Sequence, residues 1–292
     1  MSRLRRSMMF VPGNNPAMLQ TAGVYGADTI ILDLEDAVAL TEKDAARYLV
    51  QGAIQTMNYP CEVAIRINHL STPFGRDDLE AVLAVKPDLI RLPKAETAAD
   101  IREIDAIISE SEQRHGFAAG SIQMMAAIET AKGILNAYDI ASASPRMVAL
   151  AIGGEDFVAD LKVRRTKDGK EMMAARGQLV LAARAAGIDA IDSVFADAND
   201  EETFIAETTM IKEMGFAGKS VVNPRQIRLV HQIFTPSDKE IEHAKRVIEA
   251  YQEALAAGSG VISLNGKMVD APIVIRAEHT LAYAAAVGKG VQ

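Results

Sequence analysis

Eight short apolar runs, at 7–12, 28–34, 62–68, 88–93, 122–129, 146–153, 189–196 and 218–223, recur along the chain with helix-like stretches between them. Runs this short and this continuously apolar suit strands buried on both faces. Parallel strands of that kind need a crossover, usually a helix, between one and the next. Eight such units are the number that closes a cylinder, so the sequence predicts an α/β fold, a (β/α)8 TIM barrel, over residues 1–235. An open doubly wound sheet is the competing architecture, but no glycine-rich dinucleotide fingerprint follows the first run. The remainder, 236–292, exceeds what closure needs. It reads as a long amphipathic helix from Pro236 to about Ala257, a break at Gly258-Ser-Gly260, a poorly alternating stretch around Asn265-Gly266, and a last helix. This C-terminal helical arm is expected to pack on the barrel or on a neighbouring subunit.

Helix starts carry their own signals. Thr41-Glu-Lys-Asp44, Thr97-Ala-Ala-Asp100 and Ser237-Asp-Lys-Glu240 each place a hydroxyl at an N-cap with an acid three residues on, the reciprocal pattern that satisfies free first-turn amides. The longest barrel connection, Phe157 to Lys170, follows the sixth run and carries Arg164-Arg165.

In a barrel, chemistry gathers at the C-terminal ends of the strands. The fifth run ends at Glu129 and the sixth in Gly153-Gly154-Glu155-Asp156. Neighbouring strand axes lie about 4.8 Å apart, close enough for two such carboxylates to grip one ion. Buried carboxylates are costly without a partner, and Mg²⁺ accepts one or two of them while water and substrate fill its other positions. Glu129 and Asp156 are therefore expected metal ligands; the competing expectation is that they cap or salt-bridge the helices that follow. The second run ends Asp33-Leu34-Glu35-Asp36, three carboxylates within four positions. The period of two along the third run puts Ala64, Arg66 and Asn68 on one face, so Arg66 points inward, either to those acids or to a substrate carboxylate or enolate oxygen. Lys94 closes the fourth run and raises the possibility of a Schiff-base mechanism, against which the nearby acids argue by keeping its amine charged.

Composition excludes several classes. A net charge of -8 argues against a general nucleic-acid or membrane-surface binder, so a phosphate-bearing ligand needs a local basic patch, for which Arg5, Arg6 and Arg164-Arg165 are candidates. A single cysteine, Cys61, rules out an internal disulfide framework, and the five histidines show no close pair with zinc-ligand spacing. The apolar run behind the N-terminal arginines is only Met8 to Val11, too short for a secretion signal or a membrane span, so a cytoplasmic protein is expected.

Seven motifs in order extend these readings: Arg5-Arg6-Ser-Met-Met-Phe-Val-Pro-Gly-Asn14, Asp33-Leu-Glu-Asp36-Ala-Val, Arg91-Leu-Pro-Lys94, Ala127-Ile-Glu129, Gly153-Gly-Glu-Asp156, Gly218-Lys-Ser-Val-Val-Asn-Pro-Arg225-Gln-Ile and Leu264-Asn-Gly-Lys-Met-Val-Asp270. Together they resemble the citrate lyase beta subunits, within a wider group that includes malyl-CoA and citramalyl-CoA lyases. The resemblance spans residue 3 to about 280. It implies a Mg²⁺-dependent carbon–carbon lyase with Glu129 and Asp156 as metal ligands and Arg66 contacting substrate. The implied substrate is a citryl thioester, on coenzyme A or an acyl carrier, cleaved to oxaloacetate and an acetyl thioester. The implied partners are a citrate lyase alpha subunit, an acyl-carrier gamma subunit and further copies of the chain in a homo-oligomer. For the catalytic base the order of expectation is Asp270, from this or a neighbouring chain, then Glu35 and Asp36. The alternatives are a malyl-CoA or citramalyl-CoA lyase or thioesterase, and a non-catalytic scaffold of an acyl-carrier complex.

Overall fold

A computed structural model describes residues 3–256, 262–264 and 267–289. The chain divides into two compact units, Arg5–Val230 and a second made of His231–Gln292 with the first four residues. In the first unit eight parallel strands close into a barrel in sequence order: β1 (Ser7–Pro12), β2 (Thr29–Asp33), β3 (Glu62–Arg66), β4 (Leu89–Leu92), β5 (Gln123–Ile128), β6 (Met147–Ile152), β7 (Asp189–Asp192) and β8 (Gly218–Val221). β8 returns to β1 through the Ser7↔Lys219 to Met9↔Val221 register. The helices of this unit are α1 (Pro16–Thr21), α2 (Lys43–Thr56), α3 (Gly75–Leu83), α4 (Ala98–His115), α5 (Ala131–Leu135), α6 (Ala137–Ala141), α7 (Gly154–Asp160), α8 (Met173–Ala185) and α9 (Glu201–Met214), with α10 (Pro224–Phe234) crossing into the second.

Strand alternation builds the interior. Met8, Ile31, Ala64, Leu89, Met125, Ala149, Ala151 and Ile191 fill the inside of the cylinder, all fully buried. Two residues further along the same faces come Phe10, Asp33, Arg66 and Arg91, so the apolar filling gives way to charge at the C-terminal ends. The opposite end is closed by a buried ion pair. Arg5 Nε and Nη2 donate to Glu62 Oε2 and Oε1 at 2.8 and 2.7 Å, Nη2 also reaches Gln123, and Thr29 donates its hydroxyl to Glu62. Arg6 donates to Asp28 at 2.7 Å. Both arginines thus belong to the floor of the barrel, and the expectation that they meet ligand phosphates is corrected.

Local signals were met unevenly. Thr97 caps α4 reciprocally with Asp100, and Ser237 exchanges hydrogen bonds with Glu240. Thr41 caps nothing: it lies inside a short 3-10 turn, Leu40–Glu42, that leads into α2. The stretch after β5 is two short helices, not one, because Asn136 leaves the helical path and donates its amide to the Glu96 carbonyl at 2.9 Å. The connection after β6 opens with α7 where a loop was expected.

The second unit has its own small core. The helices α11 (Asp238–Ala256) and α12 (Ala271–Ala286) pack through Ala244, Val247, Val274 and Ala277, joined by Val269. Strands β9 (Ile262–Leu264) and β10 (Lys267–Val269) pair antiparallel within the stretch expected to alternate poorly. The expected break at Gly258-Ser-Gly260 and the turn at Asn265-Gly266 lie outside the described residues. Among the described residues no helix is long and apolar enough to cross a membrane.

Candidate active site

The C-terminal mouth of the barrel encloses a cavity of about 340 Å³. Its wall includes Asp33, Asp36, Arg66, Arg91, Glu129 and Asp156, so five strands or their following turns contribute charge to one space. Of the expected residues, Arg66, Asp36, Glu129 and Asp156 come together here. Glu35 stands behind the wall through its contacts with Arg66 and Lys94. Asp270 belongs to the second unit, at the N-cap of α12, where its side chain makes no capping hydrogen bond.

The acids after β2 organise the first side of the site. Asp33 is fully buried and fully used: it accepts Arg66 Nε at 2.7 Å and Nη2 at 2.6 Å, and the amides of Glu35 and Ala37. Arg66 Nη1 lies 2.9 Å from Glu35 Oε2 and 3.3 Å from Asp36 Oδ2. Burial opposes the charge of Arg66, but the hydrogen bond and charge of Asp33, with Glu35 and Asp36 beyond it, outweigh burial and hold the guanidinium more firmly protonated than usual. Of the two sequence readings for Arg66, the partner of the β2 acids is realised. Beneath them sits Lys43, a residue whose role sequence reasoning missed. Its buried ammonium donates to the carbonyls of Leu34 and Glu35 and to Asn68 Oδ1 within 2.9 Å, pinning the acidic turn to the end of β3.

Lys94 donates to Glu35 Oε1 at 2.7 Å from a left-handed backbone, φ 51°. Burial pulls its pKa down most, yet the bond to Glu35 and the charges of Glu35, Asp36 and Glu129 together raise it above the ordinary lysine range. An amine held charged is no nucleophile, so the geometry argues against Schiff-base chemistry, as the sequence did.

The second side is built by β5 and β6. Their register pairs Ile128 with Ile152, and Gly153 donates its amide to the Ile128 carbonyl at 2.9 Å, so Glu129 emerges beside the Gly153-Gly154 turn that starts α7. Asp156 is exposed in the first turn of α7. Glu129 is 3% exposed, and its Oε2 makes no hydrogen bond. Burial first, then the charges of Glu35 and Asp156, push its carboxyl up to about 7 despite Arg91 and Arg66. The helix that follows is capped by Thr130, whose hydroxyl accepts the Gly133 amide, so the capping alternative for Glu129 is not realised.

A buried carboxylate oxygen without a donor, facing a cavity that a second carboxylate also lines, fits a cation. Among the described residues no group of three or more His, Cys, Asp or Glu side chains forms a ready-made metal cage. A two-carboxylate donor set suits Mg²⁺, which retains water and takes substrate oxygens, better than it suits zinc, which demands three or four protein ligands. Gly153 shapes this corner: a Cβ there would stand 2.5 Å from Glu129 Cγ and 2.8 Å from its carboxyl carbon. Gly153→Ala is expected to displace the Glu129 carboxylate and lower turnover and Mg²⁺ affinity by roughly 10–100-fold, since ångström-scale misplacement of a reacting group costs about that much. Activity at saturating and limiting Mg²⁺, with a melting curve to confirm folding, checks it.

Arg91 is the other residue that sequence reasoning passed over. Its own strand carried the signal, because Leu89 fills the interior and a period of two sends Arg91 inward as well. Its guanidinium carbon lies 5.0 Å from the centre of the Phe10 ring, and that of Arg66 lies 4.8 Å from the same ring.

A closed parallel barrel that gathers a buried carboxylate with an unbonded oxygen, a second carboxylate and two guanidinium groups at the C-terminal ends of its strands is an enzyme of the metal-assisted kind, shaped for small acidic substrates. The family described as HpcH/HpaI aldolase/citrate lyase matches residues 6–224, and the chain belongs to it. It is 52% identical to the citrate lyase subunit beta of Leuconostoc mesenteroides subsp. cremoris over 97% of this chain and 94% of that one. It is 38% identical to a (3S)-malyl-CoA thioesterase of Cereibacter sphaeroides over 97% of this chain and 95% of that one. Among solved structures, the protein CitE from Mycobacterium tuberculosis in complex with magnesium, acetoacetate and coenzyme A superposes with a TM-score of 0.79 at 31% identity, covering 97% of this chain and 98% of that one.

Proposed function

We propose that this chain is a Mg²⁺-dependent carbon–carbon lyase that cleaves a citryl thioester, on coenzyme A or an acyl carrier, to oxaloacetate and an acetyl thioester. The observation that carries the reading is the buried, partnerless Oε2 of Glu129 in a cavity shared with Asp156. The 52% identity to a citrate lyase subunit beta supplies the reaction. Glu129 and Asp156 would hold Mg²⁺. When bound, the ion supplies Lewis-acid polarisation of the substrate hydroxyl and its adjacent carboxylate, which lowers the hydroxyl pKa and orients the oxo-acid half.

The rest follows from the chain's own groups. Cleavage is a reverse Claisen reaction: a carboxylate takes the hydroxyl proton, the C–O bond becomes a carbonyl, the C–C bond breaks, and its electron pair passes to the thioester carbonyl as an enolate, whose carbon is then protonated. Arg66, fixed by Asp33, Glu35 and Asp36, offers a positive charge that need not reorganise as the enolate oxygen becomes negative. For the base, Asp36 is half exposed in the cavity wall and meets Arg66 and Lys94 only at 3.3 and 3.8 Å, whereas Glu35 is held by the same two cations at 2.9 and 2.7 Å. Asp270 remains the first candidate from the sequence reading, acting from this chain or a neighbouring copy. The resemblance to the citrate lyase beta subunits supports assembly with an alpha subunit, an acyl-carrier gamma subunit and further copies of the chain, while the sequence pattern supports the cytoplasm and a division between barrel and C-terminal arm at about residue 235.

The test is an oxaloacetate-release assay with citryl-CoA, run with Mg²⁺ and again after EDTA, with malyl-CoA and citramalyl-CoA alongside. Release from citryl-CoA that EDTA abolishes is expected. Turnover confined to malyl-CoA or citramalyl-CoA would move the function to that branch of the family, and turnover that survives EDTA would remove the metal from the site.

A further inference from the structure

The mouth of the barrel holds two arginines, and only one of them is committed. Each guanidinium nitrogen of Arg66 faces a carboxylate of Asp33, Glu35 or Asp36 within 3.3 Å. Arg91 is 3% exposed and lines the same cavity, yet its Nε and Nη1 are buried without a hydrogen bond. A buried guanidinium without an acceptor is destabilising, because the hydrogen bonds it made to water are not replaced. Burial and the neighbouring charge of Arg66 push its pKa down to about 10, which still leaves it charged at neutral pH. Stability gives no reason for it: Leu89, on the same face of the same strand, fills the interior with carbon. A group kept charged, buried and unpaired against a cavity is waiting for an anion that comes and goes.

The substrates of the neighbouring branches differ in anions. A citryl thioester carries two free carboxylates, while malyl and citramalyl thioesters carry one. The carboxylate next to the hydroxyl is shared by all three, and it accompanies that hydroxyl toward Glu129 and Asp156. The second carboxylate, on a methylene arm, would meet a wall already rich in acid, Asp33, Asp36, Glu129, Glu155 and Asp156, and needs a cation not yet neutralised. Arg66 has no free fork for it: its nitrogens already face the β2 acids, and the reaction above assigns its charge to the enolate oxygen. Nε and Nη1 lie on different edges of the Arg91 fork, and with Nη2 either edge presents paired N–H groups to a carboxylate.

We propose that Arg91 binds the second free carboxylate of the substrate and thereby sets the preference for a citryl over a malyl or citramalyl thioester. The proposal rests on the lyase reading above and goes further by naming the side chain that reads the carbon skeleton. The ring of Phe10 serves as its backstop, holding the guanidinium 5.0 Å away.

Oxaloacetate and pyruvate isolate the effect, because oxaloacetate is pyruvate with a carboxylate added to its methyl group. Affinities of the Mg²⁺-loaded protein for both are measured by calorimetric titration for the wild type, Arg91→Met and Arg91→Lys. In Arg91→Met, oxaloacetate is expected to weaken by about 30–100-fold and pyruvate by less than about threefold, in keeping with the loss of charge-assisted hydrogen bonds. Turnover follows the same line: kcat/KM for citryl-CoA falls by about 100-fold, while that for citramalyl-CoA holds or rises. Arg91→Lys, which keeps the charge but not the fork, falls between and decides the matter if the methionine variant fails to fold. Equal weakening of both acids, or a loss of Mg²⁺ affinity that accounts for both, would overturn the proposal by making Arg91 a counter-ion of Glu129. Wild-type turnover of citryl-CoA alongside an unchanged acid ratio in the variants would defeat this proposal alone. A wild type inert to citryl-CoA and active on citramalyl-CoA would defeat the lyase reading and this proposal with it.

Discussion

Glu129→Gln is expected to lower Mg²⁺-dependent cleavage of citryl-CoA by about 10³-fold or more, because under the proposed metal site Lewis-acid stabilisation worth several kcal/mol goes with this side chain. The same substitution is expected to make the metal-free protein more stable. In the wild type a carboxylate that is 3% exposed, with Oε2 unbonded, has its pKa raised by burial and by Glu35 and Asp156 to about 7. The sign follows from linkage. A carboxyl whose folded pKa exceeds its unfolded value of about 4.5 holds its proton longer in the folded state, so stability falls as pH rises from about 4.5 to 7 and stays low above 7. Glutamine removes that penalty. The gain should be fully present at pH 8, roughly 2–3 kcal/mol at most, and absent below pH 4.5. Adding Mg²⁺ should raise the melting temperature of the wild type and leave the variant unmoved. Melting curves at pH 8 with and without the ion, beside turnover, test both halves; a variant that binds Mg²⁺ like the wild type would remove Glu129 from the metal site.

Lys219→Met carries the largest expected loss of stability, about 3–5 kcal/mol, the usual result of leaving buried charge uncompensated. Lys219 and Arg176 are fully buried between Asp192 and Glu207, and Arg165 reaches Glu207 at 3.3 Å from the edge of the network. The Lys219 ammonium donates at 2.7 Å to Asp192 and 2.6 Å to Glu207; Arg176 donates to the same Asp192 at 2.8 Å. Burial would raise the pKa of both acids, but the charges of Lys219 and Arg176 outweigh it and hold both below the ordinary carboxylate range. Their contribution to stability is therefore present above that range and lost as pH falls through their folded values. Methionine leaves the two carboxylates to Arg176, with Arg165 reaching only the edge of Glu207 at 3.3 Å, and a carboxylate can then relieve the imbalance by taking a proton. The deficit should accordingly shrink between pH 8 and pH 5 in urea melts. A deficit that is small or independent of pH would mean that the network is not held by charge.

The strands were legible because burial writes itself into local composition. The expected 7–12 is β1 as observed, and the other seven agree at the N-terminal end to within a residue. The overshoots lie at the C-terminal ends, as at 62–68 against Glu62–Arg66 and 189–196 against Asp189–Asp192. The apolar pattern reports burial, and Ile67 is fully buried although the hydrogen-bonded ladder has ended before it. In the site, the acids after β2 and the carboxylates after β5 and β6 could be seen because polar residues end apolar runs there. Arg5 could not, since its partner Glu62 is 57 residues away and no local pattern joins them. Lys43 was hidden for a similar reason: a lysine opening an amphipathic helix looks solvated until the turn of Leu34 and Glu35 folds over it. Arg91 was within reach of the period-two argument applied to Arg66, but nothing in the sequence distinguishes an arginine with partners from one without.

The floor of the barrel has a consequence for traffic. With Arg5 and Glu62 locked beneath an interior filled by Met8, Leu89 and Met125, the cylinder is a blind well. Everything that reacts there arrives and departs by one door. A long thioester tail standing in that door covers the cavity beneath it, so an acid seated on the apolar filling leaves only after the tail has moved aside. The far end of the barrel offers no second exit.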